Sequence, residues 1–361
     1  MQGADPETVR RALADRDPLP GTRGFAGPLD DRLVRDVLGR YPCFSDAAPA
    51  DGSLGWAADP TELTDPTRLP AGHVRTADGD ERVWSLPDPA PVTDRRTAIE
   101  GVRDAIETSV GGVETDGLAV AFSGGVDSAL LAARLDAPLY AAGFPDSHDV
   151  EAARSAAEWL DRDLTVVELD HDALEAAVPA VARATGRTNA MDVSIALPLS
   201  LVAERVAADG YDRLAVGQGA DELFGGYAKV AKAPDDPRLD ADTVRGARRE
   251  TVATLPDQLE RDVLALRAAG VEPVAPLLHD DVVRAALALP GALLVTDRGE
   301  RKWALRLAAR AWLPDRVVFR EKKAVQYGSL VARELDRLAR QAGFKRRQDD
   351  HVSKYVASRC E

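Results

Sequence analysis

The chain has 361 residues, 45% of them hydrophobic, enough for two domains of ordinary size with apolar cores. Its formal net charge of −14 excludes broad nucleic-acid binding, because a phosphate backbone needs a cationic surface. No apolar run is long enough to span a bilayer and no signal-peptide segment opens the sequence, so a cytoplasmic protein without a membrane partner is expected.

Lysine is scarce: there are seven, the first at Lys229, and arginine carries most of the positive charge. An acidic, lysine-poor surface suits a high-salt cytoplasm, where self-repulsion is screened. A GC-biased genome would produce the same composition. The two cysteines, Cys43 and Cys360, form no CxxC pair, which fits a reducing compartment and gives no zinc or redox signal.

Residues 1–90 are rich in Pro, Gly and Asp, with short alternating segments, and read as a small β-rich domain. The run Pro87-Asp88-Pro89-Ala90-Pro91 is a linker, since its prolines continue neither a helix nor a central strand. An amphipathic helix is expected over residues 97–109. From residue 118 strands and helices alternate: strands at 118–122, 139–143, 164–169 and 214–217, helices at 129–135, 149–160, 173–184 and 197–207. That alternation predicts an α/β fold with a doubly wound parallel sheet covered on both faces. Beyond about residue 238 only helical periodicity remains, through 335–339. The polar tail, 341–361, with its Lys345-Arg346-Arg347 cluster, reads as a solvated end.

The first strand runs into Phe122-Ser123-Gly124-Gly125-Val126-Asp127-Ser128. A strand that turns through glycines into a helix presents free backbone N–H groups and a positive dipole end to an anion. Unlike a Walker loop, this one lacks the Gly-Lys-Ser/Thr ending. It instead carries Asp127 where a phosphate would approach. A carboxylate beside a phosphate needs a divalent cation between them, and Mg²⁺ is the usual bridge. The loop therefore points to Mg²⁺–ATP held by its pyrophosphate end.

The fourth strand runs into a second glycine-rich loop, Gln218-Gly219-Ala220-Asp221-Glu222-Leu223-Phe224-Gly225-Gly226-Tyr227. Glycines in this number cost backbone entropy and suit a loop that a ligand must approach closely. Ligands of open α/β sheets bind outside the carboxyl ends of the strands, so both loops are expected to face one crevice, with Asp127 and Asp221 as metal ligands. Lys302, opening the largely apolar Lys302-Trp303-Ala304-Leu305-Arg306, is a candidate countercharge for a polyphosphate; Lys322 and Lys323 are a second candidate cluster.

These two loops and the 302–306 helix resemble the synthetase half of the asparagine synthetases, of the N-type ATP pyrophosphatase group, over residues 95–340. Weaker echoes are Asp192-Val193-Ser194, Gly270-Val271-Glu272 with Pro276, and residues 320–328. The resemblance implies an adenine nucleotide α-hydrolase-like fold with a helical C-terminal part, binding ATP and Mg²⁺ with cleavage between the α- and β-phosphates. It implies that Asp127 and Asp221 hold Mg²⁺–pyrophosphate and that Lys302 and Lys322 contact phosphate. By the same likeness Phe122, Ala142, Gly143, Val216 and Gly217 line the nucleotide site beside Ser123, Gly124, Gly125, Val126 and Ser128. The implied reaction adenylates a carboxylate, then lets an amine displace AMP; aspartate and ammonia, giving asparagine, are the expected pair.

Three departures bear on the acceptor. The related synthetases begin their mature chain with a nucleophilic cysteine, whereas this sequence begins Met1-Gln2-Gly3 and Cys43 is internal. Residues 1–90 are thus expected to be a degenerate glutaminase-like remnant, with ammonia coming free or from a separate glutaminase. Gln218 stands where the family usually has Glu, so the expected catalytic position holds an amide that can only hydrogen-bond. Val274 to His279 stand where the family usually carries an Arg and ends in Asp. Alternatives are the same adenylation chemistry on another carboxylate and amine, or a non-catalytic nucleotide-binding regulatory protein.

Overall fold

The short segments of the N-terminal region pair as antiparallel strands. The computed structural model describes residues 1–46, 55–233, 241–320, 326–347 and 349–360. They divide between two compact units, one of Met1–Gly112, Gln218–Glu260 and Ala275–Ala311, the other of Val113–Gly217, Arg261–Val274 and Trp312–Glu361.

The first unit contains β1 (Ala26–Leu29), β2 (Arg32–Arg35), β3 (Phe44–Asp46), β4 (Trp56–Ala57), β5 (Pro66–Arg68), β6 (His73–Thr76) and β7 (Gly79–Arg82). They form two antiparallel sheets, ordered β1-β2-β6-β7 and β4-β3-β5. A helix absent from the sequence reading, Pro6–Asp15, precedes them: Asp5 caps it by accepting from the amide of Thr8, and Pro6 starts it. Its Val9 and Ala12 join a core with Phe25, Val34 and Trp84, in which the Phe25 and Trp84 rings meet edge to face at 5.4 Å. The expected helix at 97–109 spans Arg95–Gly111, and the Asp280–Leu287 and Trp303–Ala309 helices pack against it. Two buried arginines of this unit are paired with acids: Arg40 lies 2.9 Å from Asp36 and 2.7 Å from Asp280, and Arg35 lies 3.2 Å from Glu260.

The second unit is built on a five-stranded parallel sheet of β8 (Leu118–Ala121), β9 (Leu139–Gly143), β10 (Leu164–Glu168), β11 (Arg213–Ala215) and β12 (Glu272–Val274). Its order is β10-β9-β8-β11-β12, the doubly wound pattern expected from the sequence. β12 corrects the expectation of purely helical structure after residue 238. Three residues carry no periodicity, and its Pro273 suggests no strand, but β12 lies at the sheet edge, where proline is tolerated. The expected helix at 197–207 begins earlier, at Ala190, where Asn189 caps it through the amide of Asp192. The polar tail holds a further helix, His351–Ser358, whose Tyr355 and Val356 are buried. In that tail Arg346 bonds to Asp336 rather than standing free. Among the described residues no helix is long and apolar enough to cross a membrane.

Candidate active-site loops

In the second unit β8 ends at Ala121 and the chain turns through residues 122–125 into the Val126–Arg134 helix. Phe122 is buried, and its amide donates to the carbonyl of Tyr140 at 2.7 Å, which fixes the exit from the sheet. Gly124 has φ +71°, and a Cβ there would sit 2.9 Å from the carbonyl oxygen of Ala152. The loop is braced from within by Ser128: its Oγ accepts from the amide of Ser123 at 3.1 Å and donates to the carbonyl of Gly125 at 3.2 Å. Gly125 is the N-cap and, being glycine, offers no side-chain cap to the amide end of the helix. That end can therefore take an anion. Asp127 stands in the first helical turn, with Oδ1 withdrawn from solvent.

Within this unit the chain leaving β11 passes beside the first loop. β8 and β11 are neighbours, and the crossovers leave them in opposite directions along the sheet, which makes their carboxyl ends the topological switch point. Gly217, just past β11, lies so close to Asp127 that an added Cβ would stand 3.1 Å from the Cβ of Asp127. Val216 is buried, and its amide donates to the carbonyl of Val274 at 2.9 Å. Ala142 and Gly143 close β9, buried beside this switch point. The structure thus gathers Phe122 to Ser128, Ala142, Gly143, Val216 and Gly217 at the carboxyl ends of three strands of one unit.

In the first unit Asp221 and Glu222 open a five-residue helix, Ala220–Phe224, that Gly225 ends in the left-handed conformation. Nζ of Lys302 lies 2.8 Å from Oδ1 of Asp221, and the lysine is 3% exposed. Lys302 itself adopts φ +58° and ψ +36° at the N-cap of the Trp303–Ala309 helix. A bulky side chain with positive φ is uncommon, and such strain clusters at functional sites. Gly226 is where the pair closes in: a Cβ there would fall 1.8 Å from Oδ1 of Asp221 and 2.3 Å from Cε of Lys302. Asp221 and Lys302, named from the sequence as separate candidates, are therefore one ion pair. Gln218 is half-buried at the head of this segment. Lys322 and Lys323 lie outside the described residues.

Sequence reasoning missed three supporting groups. Glu222 is buried and accepts a 2.5 Å hydrogen bond from the hydroxyl of Tyr227. Burial holds its carboxyl above the usual carboxylate range, the Tyr227 bond working against that shift. The Glu-x-x-x-x-Tyr spacing inside the loop is the only trace of this pairing in sequence. Arg301 donates from Nη1 to the carbonyl of Gly226 at 2.6 Å, with no motif to announce it. His279 caps the Asp280–Leu287 helix, its Nδ1 accepting from the amide of Asp281 at 3.2 Å.

Cys43 is fully buried beside Ala26, Leu33 and Leu69, and burial pushes its thiol up to about 11. That is opposite to what a nucleophilic thiolate needs. For a metal, the described residues offer no cluster of three or more His, Cys, Asp or Glu side chains. Mg²⁺ does not require one, because it takes one or two carboxylates and completes its shell with phosphate oxygens and water. The carboxylate of Asp127, in the first turn of a helix whose N-cap is glycine, fits that donor set.

The asparagine synthase family model matches residues 101–251 and 242–357. A putative glutamine-hydrolysing asparagine synthetase of Methanocaldococcus jannaschii is 30% identical over 268 residues, 64% of this chain and 49% of the relative. Asparagine synthetase B of Escherichia coli is 27% identical over 370 residues, 90% of this chain and 65% of the relative. The chain thus spans about half to two thirds of the length of these relatives. An NAD⁺ synthetase from Burkholderia pseudomallei aligns over 72% of this chain and 93% of its own, at 16% identity and a TM-score of 0.24, too low to carry an argument. With the family model covering more than half of its residues, this chain belongs to the asparagine synthase family.

Proposed function

We propose that the protein is an ATP-dependent amide ligase that adenylates a carboxylate, with aspartate as acceptor and asparagine as product. The observation that carries this reading is the braced glycine loop at the switch point, a helix start with glycine as its N-cap, Asp127 in its first turn and Gly217 against it. Family membership supports the same chemistry.

In the first step a carboxylate oxygen attacks the α-phosphorus of ATP, the bond to the bridging oxygen of the β-phosphate breaks, and pyrophosphate leaves. In the second an amine nitrogen attacks the acyl carbon, loses a proton, and AMP departs. The amides of residues 126–128 and the Ser123 hydroxyl bind the pyrophosphate end, where negative charge accumulates. Lys302 supplies a positive charge to that departing group. By the family likeness Asp127 and Asp221 would hold Mg²⁺, which when bound would neutralise phosphate charge. Gln218 hydrogen-bonds in the amine step, where it can orient the nucleophile but cannot take its proton.

Ammonia, free or delivered by a separate glutaminase, is the nitrogen source we propose, supported by the inert burial of Cys43. Pyrophosphate release from Mg²⁺–ATP with a panel of amino acids tests the whole reading. Aspartate-dependent release, with asparagine formed only when ammonium is added, is expected. Release with another carboxylate alone would move the acceptor assignment. Absence of release with every carboxylate, despite Mg²⁺–ATP binding, would leave a nucleotide-binding regulatory protein.

A further inference from the structure

We propose that Arg301 is a positioning residue that sets the Asp221–Lys302 pair, a role that concerns the proposed pyrophosphate site and rests on that reading only for its consequence in binding. Arg301 and Lys302 are consecutive, yet both side chains reach the same loop. The left-handed backbone at Lys302 makes this possible. Lys302 takes the Asp221 carboxylate at 2.8 Å, while Arg301 takes the carbonyl of Gly226 at 2.6 Å. Gly226 in turn donates its amide to the carbonyl of Asp221 at 2.7 Å.

Gly226 is therefore held from both sides of its backbone, by Arg301 and by Asp221. Its bare Cα faces the ion pair so closely that no side chain could stand there. A small movement of this residue would push on the carboxylate or on Cε of the lysine. Arg301 has its own frame: its carbonyl accepts from Nε of Arg306 at 2.9 Å, and it forms an antiparallel bridge with Val295. A guanidinium bond to a carbonyl is charge-assisted and directional, which suits a fixed brace better than a mobile ammonium would. The strain of the Lys302 backbone is offset by a closed ring of bonds through Arg301, Gly226 and Asp221.

The test compares Arg301→Ala and Arg301→Lys with the parent in two readouts. The first needs no ligand: acetylation of Lys302, read by peptide mass spectrometry relative to exposed Lys354. Arg301→Ala is expected to raise the Lys302 rate about tenfold with the melting temperature nearly unchanged, since a misplaced pair opens to solvent. The second is the Kd for Mg²⁺–pyrophosphate by calorimetry. It should weaken about tenfold in Arg301→Ala, weaken less in Arg301→Lys, and recover when guanidinium ion is added below denaturing concentration.

Unchanged Lys302 reactivity in Arg301→Ala would overturn the proposal. So would a rise that guanidinium does not reverse and that accompanies a collapsed melting temperature, because that reports loss of fold alone. Failure of the parent protein to bind Mg²⁺–pyrophosphate would contradict the proposed function instead, leaving the acetylation readout to decide the role of Arg301.

Discussion

Lys302 and Asp221, 81 positions apart in sequence, form an ion pair of 2.8 Å in which the lysine side chain is 4% and the aspartate side chain 23% exposed. A buried ammonium is costly without its carboxylate, so the two side chains should be energetically coupled. Asp221→Asn is expected to destabilise the protein by about 1–3 kcal/mol, the aspartate's partial exposure keeping the loss below that of a fully buried pair. Adding Lys302→Met should recover most of that loss. Urea denaturation of the single and double variants gives the coupling; additive losses would mean the pair contributes nothing.

Gly226 is the tightest point of the loop, with its missing Cβ only 1.8 Å from Oδ1 of Asp221. Gly226→Ala must displace the carboxylate or the backbone. Pyrophosphate release should fall about a hundredfold, the scale of a small misplacement at reacting groups. Stability should drop by about 1–3 kcal/mol, as for overpacking. Wild-type turnover in this variant would show that the position of the pair does not matter to the reaction.

Much of this was legible beforehand because it rests on local signals. The 123–128 and 218–227 loops are glycine turns after apolar strands, and the order of strands and helices already required a parallel sheet. What could not be read depends on distant partners. The Lys302–Asp221 pairing and the Arg301 brace join residues 75 or more positions apart, and no periodicity encodes that. β12 is three residues with a proline, acceptable only because an edge strand has one neighbour. The Pro6–Asp15 helix was masked by a proline that its first position favours.

His279 gives a pH dependence with a definite sign. Its Nδ1 accepts the amide of Asp281, so the ring must be unprotonated at that nitrogen to cap the helix. Burial lowers its pKa below the ordinary value, Arg23 and Arg40 acting in the same direction while Asp281 and Asp280 oppose it. A lowered histidine pKa means the folded state prefers the neutral ring. The stabilisation is present above pH about 6.5 and is lost as the pH falls through the lowered folded-state value. His279→Asp should keep the cap, worth about 1 kcal/mol, and remove this part of the acid sensitivity. Parallel stability–pH curves for the two proteins between pH 7.5 and 5, spanning about the histidine range, would contradict the assignment.

Gly124 combines φ +71° with contact against the Ala152–Ala153 backbone, so Gly124→Ala strains the loop in two ways. Affinity for Mg²⁺–ATP should fall at least about tenfold, the expected size of losing well-placed charge-assisted bonds to phosphate. Calorimetry of ATP binding reads this directly, and an unchanged Kd would remove the loop from the phosphate site.

Adenylation by the braced loop is tested most directly by isotope exchange between pyrophosphate and ATP. With Mg²⁺ and aspartate and no ammonium, labelled pyrophosphate should enter ATP. Asp127→Asn should slow that exchange by about a hundredfold to a thousandfold, as removal of a transition-state charge contact does. Exchange that persists in Asp127→Asn, or that never depends on a carboxylate in the parent protein, would contradict the assignment of this loop as the site where a carboxylate is adenylated.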